Sequence, residues 1–197
     1  MPDDARSPAD AVRARFDALA RDPAGETRFV VGPASARALG YGDADLAAFA
    51  GAAVAFAGVG DPLAGFAPAP ATRVLDVGCG AGLDLLRAAA AVGADGRVVG
   101  VDFAPAMAAR ARAAVAAAGL AARATVVVAD ASALPFAAAT FDVVVSNGAF
   151  NLCVDKPAVL REVARVLRPG GALRLCDMLV DPGADPSAVA RAGAWSD

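Results

Sequence analysis

Hydrophobic residues in the middle of the chain form two continuous apolar runs with a helical pattern between them. The stretch Val74–Gly82 (VLDVGCGAG) opens like a strand buried on both faces and ends in a glycine-rich turn. Leucines and alanines at helical spacing follow over Leu83–Gly93, and Gly96–Asp102 (GRVVGVD) is a second apolar run. The order strand, turn, helix, strand predicts one right-handed βαβ unit.

Three more apolar runs follow this unit and extend the predicted sheet. They are Ala124–Ala129 (ATVVVA), Thr140–Ser146 (TFDVVVS) and Ala172–Val180 (ALRLCDMLV). The pattern predicts an α/β fold with a doubly wound, mostly parallel sheet of order 3-2-1-4-5, and little helix between the third and fourth strands. No further strand is predicted after the fifth strand. Because that strand is apolar and lies at the edge of the sheet, we expect a partner to cover it.

Two helices are predicted around the later strands. Pro105–Ala118 has a proline in its first turn and stops at Gly119. The crossover helix Lys156–Gly171 (KPAVLREVARVLRPGG) ends in a Pro-Gly-Gly break, and Asp155 is its expected cap. Its apolar face is expected to carry Val159, Val163, Val166 and Leu167.

Residues 1–71, before the sheet, carry helical patterns and few strand-like runs. Asp10–Ala20 predicts an amphipathic helix, with Ser7 and Pro8 as its cap and first turn. Leu39–Gly51 predicts a turn and a short helix capped at Asp43. Because long connecting segments in compact domains often form lids, we interpret this region as a lid over a substrate pocket. A poorly ordered extension is the alternative.

Length and composition narrow the class of protein. With 197 residues, 57% of them hydrophobic and 20% charged, the chain is long enough for one buried domain, assigned to residues 72–197. A net charge of −3 without a basic stripe argues against a nucleic-acid partner. The acidic, polar N-terminus is unlike a signal peptide, and no apolar run approaches a membrane span. We expect a cytoplasmic protein with no membrane partner.

The chain contains no histidine, which argues against several classes of catalytic and metal-binding site. A chain without histidine has no histidine general base and no histidine metal ligand, which argues against hydrolase triads and most zinc sites. The three cysteines, Cys79, Cys153 and Cys176, lie far apart without CxxC spacing. Neither a metal site nor a disulfide framework is predicted.

The glycine-rich turn predicts a ligand site. Gly78, Gly80 and Gly82 remove every Cβ where the strand meets the helix, so that a ligand can lie on backbone N–H groups at the positive helix end. Asp102 ends the neighbouring strand about 20 residues later, where a carboxylate can hold the two hydroxyls of a ribose. These residues predict a cofactor that contains a nucleoside.

Two departures from the dinucleotide fingerprint indicate which cofactor. Leu83 stands where that fingerprint needs a small residue, and Asp76 precedes the turn. A carboxylate there would repel a pyrophosphate but suits an ammonium or a sulfonium group. The alternative to a cofactor site is a tight turn in an α/β domain that has lost its ligand. With Asp76 before the glycines and Asp102 after them, the chain resembles the class I S-adenosylmethionine-dependent methyltransferases.

This resemblance implies S-adenosylmethionine as cofactor and adds residues at the adenine end. It also implies a further pair of strands after the fifth, which the pattern here lacks, so a truncated domain is an alternative expectation to a covering partner. It implies that Asp130, at the end of the third strand, accepts the exocyclic amine of adenine, and that Ala131 beside it also lines the cofactor site. Phe103, directly after Asp102, can offer an apolar face to the same ring, with core packing as the alternative.

Four stretches resemble the arsenite methyltransferases more closely: Leu39–Leu46, Gly58–Pro62, Ser146–Pro157 and Leu167–Gly171. Members of that group hold trivalent arsenic with cysteine thiolates, which are soft ligands. The positions matched to those thiols here are Val59 and Gly148, so the chain lacks the arsenic-binding cysteines.

These observations predict a methyltransferase that acts on a small molecule by in-line methyl transfer, which needs no obligatory base. Asn147 and Asn151 are the predicted catalytic residues, with Asn147 also expected at the cofactor; both are neutral groups able to hold the methionine end of the cofactor or the acceptor. Loop capping is the alternative for both. Arsenite methylation and cofactor binding without activity are the alternative functions. A homodimer through the exposed sheet edge is a possible assembly.

Overall fold

The computed structural model of the protein describes residues 7–179 and 183, and shows a sheet flanked by helices on both faces. The strands are β1 (Arg73–Val77), β2 (Arg97–Asp102), β3 (Ala124–Val128), β4 (Phe141–Asn147) and β5 (Leu167–Cys176). The α-helices are α1 (Pro8–Arg21), α2 (Pro33–Ala38), α3 (Asp43–Ala48), α4 (Ala50–Ala53), α5 (Leu83–Ala91), α6 (Pro105–Ala117) and α7 (Lys156–Val166). Short 3₁₀ turns lie at Pro23–Gly25 and Phe150–Leu152.

The sheet is parallel throughout and has the strand order β3-β2-β1-β4-β5, which confirms the predicted topology. In its centre, Leu75 of β1 pairs with Val99 on one side and Val144 on the other. Because all strands run in one direction, their carboxyl ends share one edge of the sheet. The order reverses direction at β1, so this edge has its crevice between β1 and its neighbours.

Apolar side chains of β1 alternate between two buried layers, as a doubly wound sheet requires. Val74 belongs to a cluster that includes Leu85 and Leu86 of α5. Leu75 and Val77 belong to a second cluster on the other face. That second cluster includes Val159, Val163 and Val166, which confirms the predicted buried face of α7 at these three positions.

The N-terminal region packs on the sheet domain and shares its core. Tyr41 and Phe56 belong to the same buried cluster as the side chains of α5. Helix α1 lies against α6, where the Asp17 carboxylate accepts a hydrogen bond from the N–H of Ala106 at 2.8 Å. The predicted start of α1 is confirmed, since the Ser7 hydroxyl oxygen accepts from the N–H of Asp10.

The predicted cap of the second N-terminal helix is wrong. Asp43 is the first residue of α3, Gly42 occupies the cap position, and no side chain makes a capping hydrogen bond. The Asp43 carboxylate is instead paired with Arg37 at 2.8 Å. The nearby guanidinium of α2 therefore takes the carboxylate that sequence reasoning assigned to the helix end.

The other helix ends follow the prediction more closely. Asp155 caps α7 by accepting from the N–H of Ala158 at 2.8 Å. Helix α6 begins at Pro105, and Gly119 follows it with a φ of +67°. In the described part of the chain, β3 and β4 are joined without an intervening helix, as predicted.

The fifth strand differs from its predicted position. It begins at Leu167 rather than Ala172, so Leu167 pairs with Phe141 instead of ending the face of α7. The predicted Pro-Gly-Gly break lies within β5, where the pairing is irregular: Val143 next pairs with Ala172, and Gly170 has a φ of +78°. The extra residues of β5 form an irregularity in the pairing, which resumes at Ala172. Val180, the predicted end, lies outside the described residues.

Among the described residues, no strand lies beyond β5. The segment in which further strands were considered, 181–197, falls outside the described residues except for Gly183. Within the same described part of the chain, no helix is long and apolar enough to cross a membrane.

Candidate cofactor site

A cavity of about 260 Å³ opens at the carboxyl edge of the sheet. The glycine-rich turn forms its floor, helix α1 forms one wall with Arg13 and Phe16, and the β4 loop closes the far end. The structure brings together all but one of the site residues expected from the sequence. The cavity is lined by Asp76, Gly78, Gly80, Gly82, Asp102, Phe103, Asp130, Ala131 and Asn147.

The glycine turn needs its glycines for both conformation and space. Gly78, Gly80 and Gly82 have φ values of +73°, +53° and +95°. A Cβ at Gly78 would collide with the Cβ of Ala149. The N–H groups of Gly78 and Cys79 both donate to the carbonyl of Val101, at 2.8 and 3.0 Å. These N–H groups hold the turn against β2, so what the glycines offer a ligand is chiefly an open backbone surface.

Asp102 is fixed at the end of β2 with its carboxylate beside the turn. Its two oxygens accept from the N–H groups of Gly80 and Ala104, each at 2.8 Å. Burial raises the pKa of Asp102 to about 6, although both backbone donors lower it. Each carboxylate oxygen keeps a further lone pair, so the group can still accept from a ribose hydroxyl.

Asp76 is the least satisfied polar side chain of the site. It is only 2% exposed, and its Oδ2 has no hydrogen-bond partner among the described residues. Burial, with the nearby carboxylates Asp84 and Asp102, raises the pKa of Asp76 well above its ordinary value. An unpartnered buried acceptor costs about 1–3 kcal/mol, and that cost is removed if a ligand donates to it. The site therefore fits a ligand with a cationic donor.

The β2–β3 end of the cavity combines an aromatic face with an exposed carboxylate. The guanidinium of Arg13 lies 4.1 Å from the ring centroid of Phe103. Asp130 follows β3, and its Oδ1 accepts from the N–H and the hydroxyl of Ser132 at 2.8 and 2.7 Å. Apolar ring and acceptor oxygens on one side of the cavity suit a heteroaromatic base with an amino group.

Asn147 lines the cavity, but its side-chain amide already has partners within the protein. Its Oδ1 accepts from the N–H groups of Val59 and Gly60, at 2.8 and 3.1 Å. Its Nδ2 donates to the Gly60 carbonyl at 2.7 Å, and lies 3.0 and 3.1 Å from the Tyr41 hydroxyl and Asp84 Oδ2. In this arrangement Asn147 holds the segment 58–60 against the end of β4.

Asn151 is placed elsewhere. It is not among the described residues that line the cavity. Its backbone N–H donates to Asp177 at 3.2 Å, and its Oδ1 is buried without a hydrogen-bond partner in the described structure. The 3₁₀ turn after β4 carries the side chain away from the cavity.

Sequence reasoning missed a polar cluster that lies behind the turn. The Tyr41 hydroxyl donates to Asp84 Oδ1 at 2.7 Å, and Arg87 Nη1 lies 3.2 Å from the same oxygen. Asp84 lines the cavity, and Tyr41 is buried beneath it. The available signals were an acid and an arginine three residues apart on an otherwise apolar helix, and the single tyrosine of the chain.

The two positions matched to arsenic-binding thiols are neighbours. A Cβ at Gly148 would lie 3.4 Å from Cγ1 of Val59, so the sequence match corresponds to a real juxtaposition, but neither residue carries sulfur. Cys153 lines the cavity, with its Sγ 3.4 Å from the carbonyl of Ala149. Burial raises the pKa of Cys153 to about 11, so this cysteine is a neutral thiol near neutral pH.

Comparison with protein families agrees with this geometry. Residues 74–171, from β1 into β5, match the family described as methyltransferase domain. These residues form a methyltransferase domain. S-adenosylmethionine is the cofactor of such domains, and the cavity residues fit it: a buried carboxylate beside the glycine turn, and a second buried carboxylate with an oxygen that lacks a hydrogen-bond donor among the described residues.

Relatives of the methyltransferase domain act on different acceptors. The chain is 41% identical over 141 residues to an arsenite methyltransferase of Halobacterium salinarum, covering 72% of this chain and 36% of the relative. It is 42% identical to the nocamycin O-methyltransferase of Saccharothrix syringae, over 58% of this chain and 41% of the relative. A crystal structure of an arsenic(III) S-adenosylmethionine methyltransferase from Chlamydomonas reinhardtii superposes with a TM-score of 0.58 and 34% identity, covering 75% of this chain and 50% of that one. The chain thus spans half or less of the length of these relatives.

Proposed function

We propose that this protein is an S-adenosylmethionine-dependent methyltransferase that acts on a small molecule. The observation that carries the proposal is Asp76, a buried carboxylate with an oxygen that lacks a donor, beside a glycine turn that Asp102 holds on its other side. A cofactor with a ribose and a cationic amino-acid chain satisfies both groups together. A pyrophosphate cofactor would add negative charge beside Asp76.

In this proposal the cofactor lies along the carboxyl edge of the sheet. Asp102, Phe103, Asp130 and Ala131 hold the adenosine, and the glycine turn supports the chain beyond it. Asp76 accepts from the ammonium group. When bound, S-adenosylmethionine supplies an electrophilic methyl group that an acceptor displaces in line.

The contribution of the chain to the reaction is orientation and exclusion of water. Of the predicted pair, Asn147 remains a proposed site residue because its contacts give it a defined task, whereas Asn151 is not among the described residues that line the cavity. By holding Val59 and Gly60, it fixes the wall of the cavity on the β4 side. A Cβ at Gly58 would collide with the Asn147 amide, so the wall and the amide are packed in direct contact.

The proposed acceptor is an organic small molecule. The cavity wall on the β4 side is largely apolar and includes Phe56, Ala149 and Leu152. Arsenite is the second candidate because an arsenite methyltransferase is among the relatives. The contact between Val59 and Gly148 argues against it, because a thiophilic centre would meet a methyl group and a glycine there.

Isothermal titration with S-adenosylmethionine and its demethylated product tests the cofactor proposal. We expect a dissociation constant in the micromolar range, and about tenfold or greater weakening in Asp102→Ala, since that variant loses charge-assisted hydrogen bonds to the ribose. No heat of binding at millimolar cofactor would refute it. Turnover of phenols, enols, amines and thiols then separates an enzyme from a cofactor-binding protein without activity, and arsenite in the presence of thiols serves as the competing acceptor.

The remaining proposals concern the setting of the site. The exposed side chains Leu173 and Leu175 of β5 support a homodimer through this sheet edge. The three cysteines are free thiols, which suits the reducing cytoplasm. The cavity wall contributed by α1 supports the interpretation of residues 1–71 as a lid on the domain at 72–197.

A further inference from the structure

Asp84 is a second buried carboxylate at the cavity, and its hydrogen bonding differs from that of Asp76. It lies in the first turn of α5 and is only 6% exposed. Three donors surround it: the Tyr41 hydroxyl at 2.7 Å, Asn147 Nδ2 at 3.1 Å and Arg87 Nη1 at 3.2 Å. Burial raises the pKa of Asp84, and these three donors oppose that shift. The donors favour the ionised carboxylate.

The positive charge next to Asp84 is shared among several acids. Arg87 also pairs with Asp61 at 2.7 Å and with Asp45 at 2.8 Å, so one guanidinium faces three carboxylates. Among the described residues that line the cavity, Arg13 is the one lysine or arginine, and it lies at the opposite end over Phe103. The end of the cavity near β4 therefore keeps an excess of negative charge.

A sulfonium and an ammonium place different demands on their partners. An ammonium has N–H groups to donate, whereas a sulfonium has none and is stabilised by the electrostatic field alone. Asp76 has an acceptor oxygen without a donor, which suits the ammonium. Asp84 has its oxygens already occupied by donors that favour its ionised form, and such a carboxylate suits a cation that cannot donate.

We propose that Asp84 is a cofactor-binding residue that faces the sulfonium, and that it lets the site distinguish the charged cofactor from its neutral demethylated product. Tyr41 and Arg87 act through it as positioning residues. The inference rests on the proposed function. It adds Asp84 to the proposed cofactor-binding residues, together with a preference of the site for the charged cofactor over the neutral product. After methyl transfer the sulfur is neutral, so the attraction to Asp84 is lost and the product is held less firmly.

The test is the ratio of dissociation constants for S-adenosylmethionine and S-adenosylhomocysteine, measured by titration calorimetry at pH 7. We expect Asp84→Asn, which keeps the shape and removes the charge, to weaken binding of the sulfonium compound about tenfold or more. Binding of the thioether, which retains the ammonium, should change by less than about threefold. Asp45→Asn is the matched control, because Asp45 pairs with the same Arg87 but does not line the cavity.

Each outcome decides the inference. Equal weakening of both ligands in Asp84→Asn, or no weakening of either, would overturn it while leaving the proposed function intact. Failure of the wild-type protein to bind either ligand would instead contradict the proposed function. If Asp84→Asn does not fold, Tyr41→Phe tests the same contact, since it removes the 2.7 Å donor and retains the ring. The ratio should then shift about threefold toward the thioether, and an unchanged ratio would refute the proposal.

Discussion

At the scale of single residues, the site depends on carboxylates whose surroundings differ. Asp102 has two backbone donors, whereas Oδ2 of Asp76 has no donor among the described residues, although both side chains are buried and line the same cavity. Burial raises the pKa of both residues; Asp84 and Asp102 raise that of Asp76 further, and Asp17 raises that of Asp102. Aspartates of the same cavity therefore differ in what they can offer a ligand, because the fold gives each of them a different set of hydrogen-bond donors.

The raised pKa of Asp102, about 6, predicts a pH dependence of cofactor binding. In the proposed site the ionised carboxylate accepts ribose hydroxyls more strongly than the protonated acid, so affinity should fall by up to about tenfold per pH unit as the pH drops below 6. Asp102→Asn cannot lose a proton and should lack this component. Calorimetric titrations between pH 5 and 8 on both proteins measure the difference, and identical profiles would contradict the assignment.

Glycine substitutions in the turn separate conformational strain from steric overlap. Gly78 and Gly80 both have positive φ, but only a Cβ at Gly78 meets another atom, the Cβ of Ala149. Gly80→Ala should therefore cost about 1–2 kcal/mol of unfolding free energy, and Gly78→Ala about 2–5 kcal/mol. Urea denaturation of the two variants provides the measurement. Equal losses would show that Ala149 moves aside without cost.

At the scale of elements, helix α1 is held to the sheet domain by polar contacts with the first turn and the middle of α6. Asp17 binds the first turn of α6, and Arg110 Nη1 donates to the Ala20 carbonyl at 2.6 Å. Val12 and Phe16, which precede these contacts on α1, line the cavity. If α1 acts as the proposed lid, both polar contacts oppose its opening.

Asp17→Ala tests this attachment. Loss of a carboxylate from a helix N-terminus costs about 1 kcal/mol, so the amides of residues 8–21 should exchange with solvent about fivefold faster while those of the sheet are unchanged. Hydrogen exchange read by mass spectrometry measures this. Asp10→Ala is the control, because Asp10 lies on the same helix but bonds to Ser7 rather than α6. Uniform faster exchange across the molecule would indicate general destabilisation instead.

At the scale of the whole molecule, the described sheet ends in a strand with exposed apolar side chains. Leu173 and Leu175 of β5 are 37% and 42% exposed. At the other edge, Arg112 covers part of β3 by donating to the Val126 carbonyl at 3.1 Å. The two edges of the sheet thus differ in how they are covered, and β5 is the edge at which we propose pairing with another copy of the chain.

Sedimentation velocity tests the proposed homodimer. We expect association that depends on protein concentration in the wild type and a monomer in Leu175→Lys, because a charge on an edge strand opposes pairing. Leu160→Lys is the control, since Leu160 is also an exposed leucine, 48% accessible, but belongs to α7 and not to the edge strand. A wild-type monomer at every concentration, or equal effects of both substitutions, would argue against this edge.

The local sequence was sufficient to predict the sheet and the side chains that lie at the carboxyl ends of its strands. Continuous apolar runs are typical of strands buried on both faces, and an acid or glycine directly after such a run lies at the ligand edge. This reasoning placed Asp102 and Asp130 at one edge, together with Asp76 near the end of β1. It failed at Asp43 and Leu167, where the guanidinium of Arg37 and the neighbouring strand β4 offered better partners than the local pattern.

The sequence by itself determined the order of strands, the glycine turn and the acids that border it, because these follow from periodicity and from backbone conformations that only glycine adopts freely. Only the tertiary structure decided which polar groups have partners. Tyr41, Asp84 and Asn147 are far apart in the chain, and their hydrogen bonds form because helix packing brings three separate elements to one point. Whether side chains so far apart in the sequence form hydrogen bonds depends on how the elements pack, and the local sequence pattern does not contain that information.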